Sequence, residues 1–555
     1  MKRLLFILSL VIVLGSLIGV SSLYSQQARI AVISDLHYMH PSLIVEDGEA
    51  LENYLRRDRK LLRESDAILR RTVQYLLNEN VNLVLIPGDV TKDGEKISHN
   101  AVAELLKPLR DKGVKILIVP GNHDINNPEA VSFHGDHTQP EETVSASEFE
   151  RIYADYGFGD AISRDENSLS YVCEPVTGLR VLCIDACKYY DNTFKSRGAR
   201  KDSCVTNGRI KPQTMLWIER EMHKANSAGK QIIAIMHHNV VEHFEYESLF
   251  AAPYLVDDYQ DVQHKFLNYG LNMVFTGHFH SSDVARVDDK NGNYLYDIET
   301  GSIVTYPCPY RVIDIVADAL SMQTKYVEDI DYALPEGITF QQHAKDQIKK
   351  GFNEMVPQII SEYYHNLSKF IPRWVSPFVK LPDAERLSQL LLDHFSAEGV
   401  NMLIAHYHGN ETEQAQAKIN KRNLLTSIDE FIDAVSKESG GMFAGITKTL
   451  IHRMDIVKKA KAASESIWDD MMIADANDGS EIIYAKQPVN DLQLVFRFKS
   501  TINNKPEDPV LLSASSLITN ETNRVGYVPF SDNGNATVLV NRFATIGRKK
   551  KYILE

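Results

Sequence analysis

The 555-residue chain carries only five cysteines, and no two of them stand at Cys-x-x-Cys spacing. A structural zinc site built on thiolates is therefore excluded. The odd count leaves at least one thiol unpaired among Cys173, Cys183, Cys187, Cys204 and Cys308. The apolar neighbours of Cys183 favour small buried hydrophobes over a disulfide framework. Net positive charge is also lacking: the formal charge of -14 disfavours a general surface for nucleic-acid polymers or anionic lipid. Internal repeats and low-complexity linkers are missing, and no second long apolar run follows the N-terminal one. What is present is a globular composition, 44% hydrophobic and 24% charged. The length suits about three or four domains of ordinary size.

At the N-terminus Lys2 and Arg3 precede an uncharged stretch from Leu4 to Val20, which the small polar residues of SSLYSQQ follow. Residues 1–26 therefore read as an export signal, with an uncleaved membrane anchor as the alternative because the apolar stretch is long for a signal and short for a span. No cysteine follows that would accept a lipid. The remainder is expected outside the cytoplasm, periplasmic or anchored and facing the periplasm or exterior.

Six short apolar runs recur with one grammar: ARIAVISDLH, VNLVLIPGDV, VKILIVPGNHD, LRVLCIDAC, QIIAIMHHN and LNMVFTGHFH. Each reads as a buried strand, and helical patterns lie between several of them. One such pattern is Leu62, Leu69, Val73 and Leu76 on a face running into Asn78-Glu79-Asn80. Strands alternating with helices imply an α/β core, whose functional groups gather beyond the carboxyl ends of the strands. Five of the runs place metal-competent groups there: Asp35 with His37, Asp89, Asn122 with His123, His237 with His238, and His278 with His280. One histidine pair proves little; five such clusters at equivalent strand ends point to a shared site.

Carboxylate, amide and imidazole ligands without thiolate suit Mn, Fe or Zn, and there are more of them than one ion needs. Two ions sharing a carboxylate would use them all, at the separation of about 3.5–4 Å common in phosphate ester hydrolases. Gly88, Gly121 and Gly277 would let the backbone turn sharply and pass close to such a cluster.

The segments DLH, GDV, GNHD, MHH and GHFH, in this order from residue 35 to 280, resemble the five motifs of the calcineurin-like metallophosphoesterase superfamily. GDVTKDGEKISH and GRIKPQTMLWIERE further resemble bacterial members related to the class III cyclic nucleotide phosphodiesterases, and the likeness spans about residues 28–315. The resemblance implies a four-layer αββα sandwich over residues 27–330. It also implies one ion held by Asp35, His37, Asp89 and His280 and another by Asp89, Asn122, His237 and His278, with Asp89 as the bridge. His123 would face the substrate phosphate as general acid or transition-state stabiliser. His238 is expected as a hydrogen-bonded neighbour of the ligands. Asp124 would orient His123 or a ligand, or else cap a helix before INNPEA. Asn239 stands where many relatives have proline, which leaves loop shape and substrate fit open.

A different grammar starts near residue 335. Leu387, Leu390, Leu391 and Phe395 share a helical face, as do Leu425, Ile428, Ile432 and Val435 before Gly440 and Gly441, so residues 335–475 read as a helical accessory domain with no identified partner. His406 and His408 read as surface or helix-end histidines, because on a helix they face different directions. Residues 476–555 read as a small β-rich region, with alternation at Leu492, Leu494, Phe496 and Phe498 and a hairpin about Asn533 and Gly534.

The expected function is exported, binuclear-metal hydrolysis of phosphate esters, with phosphodiesters such as cyclic nucleotides favoured and a metal-activated bridging hydroxide as nucleophile. The alternatives are a periplasmic phosphomonoesterase or nucleotidase, a phospholipid-headgroup hydrolase, and an envelope interaction protein that keeps the metal centre as scaffold. Loop residues between Asn126 and Glu148, and TYPCPYR after Gly301, are expected to shape the pocket.

Overall fold

The computed structural model describes residues 27–56, 58–244, 247–316, 319–367, 381–409 and 414–440, with short pieces beyond that include 493–497. The N-terminal segment 1–26 and the hairpin about Asn533 lie outside the described residues. Among those described, no helix is long and apolar enough to cross a membrane.

The strands, in chain order, begin with β1 (Gln27–Val32), β2 (Ile44–Glu46), β3 (Leu83–Ile86), β4 (Lys115–Ile118), β5 (Val131–His134) and β6 (His137–Pro140). There follow β7 (Ser163–Arg164), β8 (Tyr171–Val176), β9 (Leu179–Ile184), β10 (Gln231–Met236) and β11 (Met273–Thr276). The described series continues with β12 (Asp283–Asp288), β13 (Tyr294–Glu299), β14 (Pro309–Val316), β15 (Ala319–Tyr326) and β16 (Gln493–Arg497). All six apolar runs are strands. β1, β3 and β4 run parallel in a six-stranded sheet of order β16-β15-β14-β1-β3-β4; β9, β10 and β11 run parallel in a seven-stranded sheet of order β12-β13-β11-β10-β9-β8-β7.

Period-two alternation explains why the second sheet's runs are apolar throughout. Val181, Cys183, Ile233, Ile235, Met273 and Phe275 join a core shared with β1, β3 and β4. The residues between them, Leu182, Ile184, Ala234, Met236 and Val274, pack with Met215, Ile218 and Met222 of the helix Pro212–Ser227 and with Val262 and Phe266 of the helix Tyr259–Tyr269. Both faces are covered, so a polar residue on either would be stranded. The helices Ser65–Asn78 and Lys96–Asp111 supply Ile68, Leu69, Val73, Val102 and Leu106 to the shared core. The first of them starts after Leu62, which packs instead in a satellite cluster with Leu51, Leu55 and Phe133. The protein is thus a mixed α/β fold whose ligand-bearing loops leave two sheets at their carboxyl ends.

The C-terminal half is tied into this core. Helices Phe340–Leu367, Ala384–His408 and Gln414–Gly440 pack through Phe352, Val356 and Val400 and through Leu387, Leu390 and Val435. Phe340, Ala344 and Ile348, a stripe at helical spacing, enter the catalytic core together with Tyr407. The alternating segment near 494 includes β16, which pairs antiparallel with β15, Leu494 opposite Met322 and Phe496 opposite Leu320. Its alternation suits an edge strand with one face on a core, and a partner distant in sequence lies beyond what local periodicity reveals. All five cysteines are free thiols, four of them buried.

Candidate metal centre

The loops after β1, β3, β4, β10 and β11 converge on one cluster. Ligand-competent atoms of Asp35, His37, Asp89 and His280 lie within 4.8 Å of one another, and so do those of Asp89, His237 and His278. Asp89, only 1% exposed, belongs to both groups. One of its carboxylate oxygens, Oδ2, lies 3.5 Å from His37 Nε2 and 3.4 Å from His237 Nε2, while Oδ1 accepts the backbone N–H of His123 at 3.0 Å. Asn122 Oδ1 is 3.0 Å from His237 Nε2, and His280 Nε2 is 3.4 Å from Asp35 Oδ1.

Backbone strain places these side chains. Asp35, His37, Asp89, His278 and His280 all have positive φ, between 35° and 77°. For non-glycine residues that conformation costs free energy and clusters at functional sites. It also changes the reading of GHFH. The strand ends at Thr276, so His278 and His280 reach the cluster from left-handed turns rather than by strand alternation, one falling in each ligand group. Close backbone approach is as expected at two glycines: a Cβ on Gly121 would sit 2.1 Å from Asp89 Oδ1, and one on Gly277 would sit 2.3 Å from Asp35 Oδ2.

The donor chemistry fits a pair of cations. His237 Nδ1–H donates to the carbonyl of Pro87 at 2.9 Å, which leaves the Nε2 lone pair facing two oxygen acceptors, those of Asn122 and Asp89. His37 Nε2 and His280 Nε2 face each other at 3.0 Å beside Asp35 and Asp89. Lone pairs converging on lone pairs call for positive charge between them. The titration directions agree. Burial opposes charge on His237, yet Asp89 beside it raises its pKa to about 9. Burial likewise works against ionised Asp89, but His237, His123 and His37 together hold its carboxyl well below the usual range. His278 turns Nε2–H to the carbonyl of Pro253 at 3.2 Å, leaving Nδ1 available.

The residues around the ligands differ in part from expectation. His123 is 23% exposed and lines the cavity, and its Nδ1 lies 3.0 Å from Asp93 Oδ1. Burial would lower the His123 pKa, but Asp89 and Asp93 raise it. Asp93, which sequence reasoning missed, is buried against Lys92, accepts the Tyr54 hydroxyl at 2.9 Å and stays ionised despite burial because of Lys92 and His123. Its only signal was a carboxylate four residues after Asp89. Asp124 does not touch His123's ring and caps no helix, since only turns follow it. Its carboxylate accepts the backbone N–H groups of Val90, Thr91 and Gly121 at 2.8–3.1 Å, fastening the Asp89 loop to the Gly121 turn. Burial and the nearby Asp89 raise its pKa to about 7. His238 donates from Nε2 to the Thr206 carbonyl at 2.8 Å and packs edge-on against His237 and tilted against His278, outside both ligand groups.

The cavity over the cluster, about 130 Å³, is also lined by Asp58, Arg59, Lys60, Thr206, Tyr254 and Phe279. Neither segment expected to shape it does so: β5 and β6 pair with β2 in a separate small sheet, and Thr305 of TYPCPYR meets His280 only from behind, at 3.5 Å.

Residues 28–282 match the family model for calcineurin-like phosphoesterases. The chain is 34% identical over 65 residues to a probable cyclic nucleotide phosphodiesterase of Vesicomyosocius okutanii subsp. Calyptogena okutanii (strain HA), a match covering 12% of this chain and 27% of that protein. It is 32% identical over 59 residues to a protein of the same description from Ruthia magnifica subsp. Calyptogena magnifica, covering 11% of this chain and 24% of the relative. The chain thus spans about a quarter of the length of these curated relatives. A dimetal phosphatase from Danio rerio aligns in structure with a TM-score of 0.39 and 18% identity, over 54% of this chain and 96% of that one. With every ligand-competent residue of the cluster inside the matched span, the likeness of residues 28–282 to the calcineurin-like phosphoesterases supports a metal-dependent phosphoric ester hydrolase.

Proposed function

We propose that the protein is an exported phosphoesterase that works with two metal ions and favours phosphodiesters, cyclic nucleotides among them. The observation that carries the two-ion reading is the membership of Asp89 in both ligand groups. Asp35, His37, Asp89 and His280 would hold one ion, and Asp89, Asn122, His237 and His278 the other. When bound, two such ions polarise phosphoryl oxygens and make a water acidic enough to act as nucleophile near neutral pH.

The chain's own groups do the rest. His123 is held through Nδ1 by Asp93, which leaves Nε2 to meet the substrate and pass a proton to the leaving oxygen. Lys92 and Tyr54 keep Asp93 charged and in place, so the imidazole cannot swing away. Asp124 holds the Asp89 and Asn122 loops at a fixed distance through backbone donors. Support for diesters comes from the names of the two curated relatives and from the likeness of GDVTKDGEKISH to cyclic nucleotide phosphodiesterases. Export rests on Lys2, Arg3 and the apolar stretch Leu4–Val20.

Paired aryl phosphate mono- and diesters, offered to the chain with added Mn²⁺, test the reading. Turnover selective for the diester is expected. Preference for the monoester would overturn the diester assignment, and no turnover of either by a folded, metal-loaded sample would overturn the enzyme itself.

A further inference from the structure

Beside the ligand cluster the cavity wall carries two cations that no sequence motif announced, Arg59 and Lys60. Lys60 has only 12% of its side chain exposed and has an ion-pair partner in Asp58, at 3.3 Å. Arg59 also faces the cavity, and among the described residues no carboxylate stands within 4.0 Å of its guanidinium. A guanidinium without an acid, at the wall of a cavity floored by phosphoesterase ligands, calls for an anion.

The helical half of the chain packs against this wall. The Tyr407 ring lies under the Arg59 guanidinium, 5.7 Å from centroid to Cζ. Gly351 lets the helix Phe340–Leu367 come so close that a Cβ there would lie 2.6 Å from Arg59 Cγ. Gln347 donates to the carbonyl of Asp58 at 3.0 Å, and His343 binds Glu64 at 2.9 Å. One residue before Tyr407, His406 lies at the end of the helix Ala384–His408 and is buried there, its ring 5.1 Å from Phe279 between the two cluster histidines. Four contacts from two helices thus fix the segment 58–64.

We propose that Arg59 and Lys60 are substrate-binding residues that hold the phosphate oxygens turned away from the metal ions, and that Tyr407 of the helical region is a positioning residue for Arg59. The inference rests on the phosphoesterase reading given above. It makes the helical half a working part of the active site rather than a separate module, because the cation that meets the substrate is oriented by a residue some 350 positions later in the chain.

The test is calorimetric titration of inorganic phosphate into the Mn²⁺-loaded full-length chain, with bound Mn counted in parallel and KM and kcat read on an aryl phosphate ester. Lys60→Met and Arg59→Met are expected to weaken phosphate binding roughly 10- to 100-fold, as for loss of a charge-assisted hydrogen bond, with bound Mn unchanged and KM raised by a similar factor. Lys60→Arg keeps the charge and should bind within a few-fold of wild type. Tyr407→Phe keeps the ring and should leave KM unmoved, whereas Tyr407→Ala should raise KM more than it lowers kcat. Equal phosphate affinity in wild type and both methionine variants overturns this inference alone, as does loss of Mn on changing Lys60. Failure of phosphate to bind the metal-loaded wild type overturns it together with the reading beneath it.

Discussion

Asp89→Asn should reduce turnover to background and loosen both metal ions at once. The substitution preserves shape, and the backbone around residue 89 is held by Asp124 rather than by the Asp89 side chain, so the fold should survive. What is lost is specific. An amide nitrogen in place of one carboxylate oxygen has no lone pair to offer a cation, and one negative charge disappears from a site where Oδ2 lies within 3.5 Å of both His37 and His237. A ligand that belonged to one group only would cost one ion; Asp89 belongs to both. Metal analysis of the purified variant, alongside steady-state hydrolysis, checks this. Retention of two ions with full activity would contradict the shared-carboxylate account.

His123→Ala should behave in the opposite way, keeping its metal while kcat falls by about 10²- to 10⁴-fold, the usual loss on removing a general acid. The side chain belongs to neither ligand group, and its backbone N–H, which serves Asp89, is untouched by the change. Asp93→Asn should be the milder relative, lowering kcat roughly 10- to 100-fold, since it leaves the imidazole and an amide oxygen able to accept Nδ1–H but removes the negative charge that strengthens this bond. The two variants also separate in their pH profiles. The negative charge of Asp93 helps raise the His123 pKa, so its neutralisation should move the imidazole-dependent limb to lower pH. Substituting His123 should remove that limb altogether. An unchanged profile in Asp93→Asn would detach Asp93 from catalysis.

The ligand cluster was legible in the chain because it follows from strand physics. A run such as VNLVLI must end where the sheet ends, and GDV after it offers the first polar groups able to meet those of the neighbouring strands. Asp35, Asp89, Asn122, His237, His278 and His280 could therefore be gathered from strand ends alone. Their backbone conformation could not. Five left-handed residues reflect tertiary demands, which no local propensity of Asp or His announces. Arg59 and Lys60 were hidden for another reason: no motif in RRDRKLLRE marks them, and their place at the cavity follows from tertiary packing, with the helix Phe340–Leu367 against residues 58 and 59. His406 sits in the last turn of its helix, one of the two places expected of it, and is buried there against Phe244 and Phe279. Likewise β16 completes a sheet that begins some 460 residues earlier, at Gln27, a pairing that alternation at Leu494 and Phe496 predicts in kind but not in partner.

The central claim is that one carboxylate joins two metal ions in a single hydrolytic site, and counting ions against activity tests it most directly. Metal-stripped full-length chain is titrated with Mn²⁺ while bound metal and hydrolysis of an aryl phosphodiester are followed together. The account predicts two ions per chain, with turnover rising as the second binds and neither ion held tightly in Asp89→Asn. Full turnover with a single bound ion, or with none, would contradict it.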